Sequence, residues 1–315
     1  MGKGVPWGTF TLTIITATGV SFLLLYDLGS PQSRIVNELL DLGHLPLFGF
    51  ISLGILRILH LRERQWKIPG PYGAAGTCTI FIGILTEVLQ SFTSTRHFEY
   101  QDIMNNTFGT VIFLSFAYTM SGNATAVTRR TIHAWALSLL AVSLVPLASV
   151  TIDTWCMKRD YPLLCSFESP LETARWSSNG CSFARSRSHA TDGRYTLKVR
   201  FSPGEYPGIS LDHLSRDWAG FSWLSLDAFN EESTAMRIII RINDARHNME
   251  FTDRFNEAFI LLPGDNHVLI PLARVRNAPR SRFMDMTDIV NVCIFFPKLV
   301  SPGSLYFDNF RLEKE

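Results

Sequence analysis

Long apolar runs crowd the first half of the chain, and no other feature constrains its fold as strongly. Residues 8–26, 44–61, 72–92, 103–120 and 132–152 each approach the ~20 mostly apolar residues that cross a bilayer core. One such run alone would fit a buried core helix. Five in succession, joined by short loops, point to a helical membrane domain. The fifth contains Pro146, which a membrane helix tolerates where neighbours satisfy the carbonyl that it frees. The first run reads as a retained helix rather than a cleaved leader, because "YDLGSP" follows it and no A-x-A-like site does.

Mean hydropathy is only +0.12, because the second half differs. Residues 1–153 carry 9 basic and 8 acidic residues, and the remainder carries 20 of each. Neither half has the basic excess of a nucleic-acid binder. The basic residues do set an orientation. Arg57, Arg62, Arg64, Lys67, Arg129, Arg130 and Lys3 fall on one side of the expected helices, which the positive-inside rule makes cytoplasmic. The opposite loops hold only Arg34 and Arg96. Five crossings then export the C-terminal half from a multi-pass protein of the cytoplasmic (inner) membrane.

Polar residues at membrane depth are costly and need a reason. Here they gather near the outer face. Asp41 and His44 open the second run, Glu87 and Gln90 close the third, Arg96 sits in the loop between, and Asp102 and Asn106 open the fourth. Asp102 is expected as the N-cap of that helix.

The ordered set "DLGH" at 41–44, "TEVLQSF" at 86–92, Arg96 and "DIMNNTFG" at 102–109 resembles the VanZ-like membrane family over about residues 8–150. That resemblance implies a multi-span helical envelope protein linked with glycopeptide resistance or envelope maintenance. A Lys often follows the first Asp of the family pattern, and Leu42 stands there instead. Three uses of the cluster compete. It can lock helices together as interhelical glue. It can recognise a polar head group through Arg96 and His44. It can catalyse, with His44 as base and Glu87 or Asp102 as partner, or with these three as metal ligands. On balance the chain reads as a binding protein more than an enzyme; the alternative is an enzyme acting on a lipid-linked or cell-wall substrate at this cluster.

After residue 153 the pattern changes to period two. "AMRIIIRIND" sets Met236, Ile238, Ile240 and Ile242 on one face and Arg237, Ile239 and Arg241 on the other. Further alternating segments, separated by "PGEYPG", "LPGDN" and "SPGS", predict an all-β sandwich. The predicted organisation is a helical membrane domain at 1–153, a linker at 154–164 and an exported jelly roll at 165–315. The series "DGRYTLKVRF", "YPGISL", "DWAGFSWLSLDAFN", "RIND", "DRFN" and "LYFDNFRL" resembles a galactose-binding-like jelly roll of the carbohydrate-binding-module type.

Glycan binding needs an aromatic platform beside hydrogen-bonding groups. The candidates are Tyr206, Trp218, Trp223, Asp227, Arg237, Arg241, Asp253 and Arg254, with Asp227 and the two strand arginines expected on one face. Trp218 and Trp223 can instead belong to the core, and the charged set can be a salt-bridge network. Related jelly rolls hold a structural Ca²⁺, for which the resemblance offers Glu168 and Asp308. Cys165 and Cys181 are either a disulfide pair or free buried thiols. The expected partners are membrane lipids and a glycan or cell-wall polysaccharide, with no nucleic acid.

Overall fold

The computed structural model describes residues 33–66, 70–92, 100–122 and 124–314. The expected first span at 8–26 and the candidate Arg96 lie outside them. The chain divides into two units, Met1–Thr151 and Ile152–Glu315.

The first unit is helical. Its described helices are α1 (Arg34–Leu42), α2 (His44–Trp66), α3 (Pro71–Gln90), α4 (Tyr100–Met120) and α5 (Ala126–Ser143), followed by α6 (Val145–Asp160), which continues into the second unit. Ser33 caps α1 by accepting from Val36 N at 3.4 Å. Helix α4 presses directly on α2. A Cβ at Gly109 would lie 2.0 Å from the Leu45 carbonyl oxygen, so only glycine permits this approach. Buried hydroxyls return to their own helices: Thr79 Oγ1 donates to Ala75 O and Thr110 Oγ1 to Asn106 O, each at 2.8 Å. This satisfies polar groups where water is absent.

Three described stretches are long and apolar enough to cross a membrane: Arg34–Leu61, Pro71–Gln90 and Ala126–Asp160. Tyr100–Met120 has the length of a span, with 21 residues, but is not among the three. Its first turns carry buried Asp102, Asn105 and Asn106, which lower its apolar character. Two expectations are corrected here. The expected linker at 154–164 begins as helix, over residues 154–160, since no breaker interrupts them before Pro162. Pro146 lies in the first turn of α6, after a turn at Leu144, where its missing N–H costs nothing.

The second unit is a β-sandwich of two antiparallel sheets. One has the order β10 (Gly264–Pro271), β7 (Trp223–Asn230), β13 (Gly303–Glu313), β4 (Thr196–Phe201), β3 (Cys181–Ser186), with β1 (Leu163–Cys165) also on β13. The other runs β2 (Trp176–Asn179), β6 (Gly208–Leu211), β11 (Ile289–Phe295), β8 (Met236–Asp244), β9 (Phe255–Leu261). A short pair, β5 (Gly204–Glu205) and β12 (Lys298–Leu299), stands apart. The period-two reading of β8 holds: Ile238, Ile240 and Ile242 are fully buried against Leu226, Ile270 and Phe307 in one shared core.

Inside the sandwich unit, Arg175 and Asp153 form a buried pair, with Nη2 to Oδ1 at 2.7 Å. All five cysteines are free, so no Cys165–Cys181 disulfide forms. The Cys165 thiol donates to Glu172 Oε2, and that of Cys181 to the carbonyl of Gly208, each at 3.0 Å. Burial pushes both thiols up, Cys181 to about 11.

Candidate functional site

Strand register builds a polar row across the outer face of the second sheet. Ser177 pairs with Ser210, Ser210 with Cys293, Cys293 with Arg241, and Arg241 with Asn256. One step along, Gly208, Phe295, Ile239 and Ala258 form a mostly apolar row. Gly208 is required there, because a Cβ would meet Phe295 Cβ at 2.5 Å. Tyr206 stands beside Phe295 with ring centroids 6.1 Å apart, and is 60% exposed. Its φ of +55° is a left-handed conformation that non-glycine residues rarely adopt. Strain of this kind persists only where surrounding structure imposes it; Asn179 Nδ2 donates to the Tyr206 carbonyl at 3.2 Å. Of these, Ser177, Ser210, Cys293, Arg241, Phe295 and Tyr206 line a groove of about 410 Å³ that also takes in Arg254, while Asn256 lines a separate depression that shares Arg254.

The groove's arginines differ from the other charged candidates. Arg241 donates through Nη2 to Asn291 Oδ1 at 3.3 Å, and Arg254 stacks 5.4 Å from the Phe251 ring centroid. The Nε atoms of both, and both amide atoms of Asn256, are buried without a hydrogen-bond partner. Burial, and the charge of Arg241 nearby, hold the Arg254 guanidinium below its usual range. Arg237 lies four residues from Arg241 on the same strand face and is exposed.

The remaining sequence candidates go elsewhere. Trp218 is 1% exposed, with Nε1 donating to Ser215 O; it is core, not platform. Trp223 lines a different depression, with Phe221, Arg276 and Phe283. Asp227 lies on the opposite sheet from Arg237 and Arg241, because the chain changes sheets between β7 and β8. It accepts from His267 Nδ1, Thr191 Oγ1 and Asn309 Nδ2 at 2.6–2.9 Å. Asp253 is buried and structural: Arg282 donates to it through Nε at 2.7 Å and Nη2 at 2.9 Å, and also holds Asp244. Arg282 escaped the sequence reading, as did Cys293 and Phe295. A loop arginine 38 residues from its partner leaves no local signal.

Glu168 and Asp308 hold one loop. Glu168 Oε1 accepts from Arg194 N and Tyr195 N, each at 2.7 Å, and Asp308 Oδ2 from Thr191 N at 2.8 Å and Asp192 N at 3.1 Å. Burial pushes Asp308 up to about 6, against the pull of these N–H groups.

In the helical unit, His44, Glu87 and Asp102 converge, with one nitrogen or oxygen of each within 4.8 Å of the others. All three are buried. His44 Nδ1 lies 3.0 Å from Asn106 Oδ1, which turns Nε2 toward Asp102 Oδ2 at 3.7 Å. Gln90 is buried too. Asp41 is met through its carbonyl, by Asn105 Nδ2 at 3.0 Å. Asp102 lies inside the first turn of α4, which begins at Tyr100, so it is not the expected N-cap. Gln101 Nε2 also reaches Glu38 Oε2 at 3.0 Å, a contact between α4 and α1.

No family model and no curated protein matches the chain. Solved structures match its C-terminal half. A family 11 carbohydrate-binding module from Clostridium thermocellum, in complex with a β-1,3-1,4-mixed-linked tetrasaccharide, is 17% identical, with 48% of this chain and 94% of the module covered at a TM-score of 0.39. An exo-β-agarase is 13% identical, with 49% of this chain and 25% of the agarase covered at 0.41. A family 30 module of a Clostridium thermocellum cellulosomal cellulase is 12% identical, with 49% and 91% covered at 0.33.

Proposed function

We propose that this chain is a membrane-anchored glycan-binding protein of the cell envelope, with a VanZ-like helical domain and an extracytoplasmic sandwich that seats a polysaccharide. The seat is the groove of the second sheet. One observation carries the reading: an exposed, backbone-strained Tyr206 flanks a groove in which the Nε atoms of Arg241 and Arg254 lack protein hydrogen-bond partners. Buried donors without partners are costly unless a ligand supplies acceptors. An aromatic face beside them suits the apolar face of a sugar ring. Calcium forms no part of the proposal, because N–H donors already face the Glu168 and Asp308 oxygens.

A glycan array on the full chain in lipid nanodiscs tests this. Tyr206→Ala is expected to lower affinity about ten-fold, the loss of one aromatic contact worth ~1.4 kcal/mol. The melting temperature stays unchanged, since Tyr206 is largely exposed. Binding that ignores Tyr206 would remove the groove from the proposal.

The convergence of His44, Glu87 and Asp102 favours a second reading, a membrane enzyme or metal centre acting on a lipid-linked or cell-wall substrate. With Nδ1 held at Asn106 Oδ1, His44 Nε2 faces Asp102 Oδ2 at 3.7 Å, and its imidazole and the two carboxylates form a set suited to exchanging a proton or ligating a divalent ion. Under this reading His44→Gln keeps the protein in the membrane at wild-type level yet abolishes its effect on glycopeptide tolerance. Wild-type tolerance in that variant would leave the cluster a purely structural role.

A further inference from the structure

The groove's electrostatics narrow the ligand. This step rests on the glycan-binding reading and names the class of glycan. Two guanidinium groups, those of Arg241 and Arg254, share the groove, and no carboxylate forms an ion pair with either among the described residues. Several other arginines of the sandwich are paired with acids: Arg282 with Asp244 and Asp253, Arg274 with Glu257, Arg216 with Asp288, Arg311 with Asp192. Asp212 is the acid at the groove's end, and it is occupied by Ser177 Oγ, Ser210 Oγ and Asn291 Nδ2 at 2.6–2.8 Å. Asn291 thus stands between Asp212 and Arg241, bonding both.

Holding two like charges together in a half-buried groove destabilises the fold unless an anion enters. A neutral sugar offers hydroxyls, which relieve the hydrogen-bond deficit but not the repulsion. A carboxylate or sulfate relieves both, and the planar guanidinium matches either in a bidentate geometry. We propose that the groove binds an anionic glycan, with Arg241 and Arg254 clamping a carboxylate or sulfate of the chain while Tyr206 covers the ring that bears it.

The test uses the full chain in nanodiscs made of zwitterionic lipid, against matched glycan pairs that differ only in charge. Polygalacturonate is compared with its methyl ester, and a sulfated galactan with agarose. The charged member of at least one pair is expected to bind ten-fold or more tightly, with affinity falling steeply as salt screens the contact between roughly 50 and 300 mM. The two pairs separate carboxylate from sulfate. Arg241→Gln with Arg254→Gln is expected to lose that preference. It should melt at or above the wild-type temperature, because neither side chain has an ionic partner to forfeit. Equal binding of charged and neutral members would overturn the anionic assignment and leave the glycan reading standing. Binding to none of the four would sink both. A double variant that weakens both members of a pair equally would also overturn the anionic assignment.

Discussion

Gly109→Ala is expected to pull apart the helical cluster and to cost about 3 kcal/mol or more, the upper end for overpacking. The reason is geometric. The new methyl group would stand 2.0 Å from the Leu45 carbonyl oxygen and 2.8 Å from its carbon, which are backbone atoms and cannot rotate aside. Relief comes only if α2 and α4 separate. Those two helices carry His44 and Asn106, so the 3.0 Å contact between them is lost as well. Thermal denaturation in detergent micelles checks the stability, and should be run beside Gly76→Ala, whose added Cβ meets only a side-chain methyl at 3.5 Å. A Gly109→Ala protein as stable as the Gly76→Ala control would mean that α2 and α4 do not touch as described.

Arg282→Met should weaken the sandwich by about 3–5 kcal/mol, since it strands two carboxylates below the surface. Asp244 is 1% and Asp253 4% exposed, and Arg282 reaches both. Hydrogen bonds from Arg282 bring Asp253 down to about 2; burial pushes Asp244 up, but the Arg282 contacts win and hold it below its ordinary value. A depressed carboxylate stabilises the fold above its unfolded pKa of ~3.9, and that contribution is lost as pH falls through 2. Asp308 has the opposite sign. Raised to about 6, it destabilises the fold at neutral pH, and protonation between pH 7 and 4 strengthens the fold. Hydrogen exchange of β8 and β11 peptides in the full chain should therefore slow slightly from pH 7 to 5, after correction for intrinsic rates. Below pH 4 protection should decline progressively in the wild type, toward pH 2, while Arg282→Met is already weak at pH 7. Wild-type protection in the variant would show that the pair of aspartates is held by other groups.

Local pattern reached only part of this molecule. Alternation in "AMRIIIRIND" identified β8 and its buried face, because a strand's two faces are written at spacing two whatever surrounds it. Arg241, Arg254 and Tyr206 were legible as candidates by residue type, an aromatic platform with hydrogen-bonding groups, but the groove they share was not, because Tyr206 and Arg254 lie outside the strands whose alternation can be read. Asp227 was misplaced for a simple reason: its strand precedes β8 in sequence but pairs with β10 and β13 in the other sheet. The partnership of Arg282 with Asp244 and Asp253 spans 38 and 29 residues and left no trace in spacing. Cys293 and Phe295 looked like ordinary strand residues until register set them beside Arg241 and Gly208.

The amino-acid order alone determined the division into a helical half and a sandwich, the faces of the strands, and the gathering of His44, Glu87 and Asp102 near helix ends. These follow from hydrophobic period and run length, which act over a few residues and need no partner. Only the tertiary structure decided which charges are neutralised. Whether an arginine locks an aspartate, as Arg282 does, or waits in a groove, as Arg241 and Arg254 do, depends on which strands become neighbours across the sheet. That is a long-range packing outcome, and electrostatic energy depends on distance in space rather than along the chain.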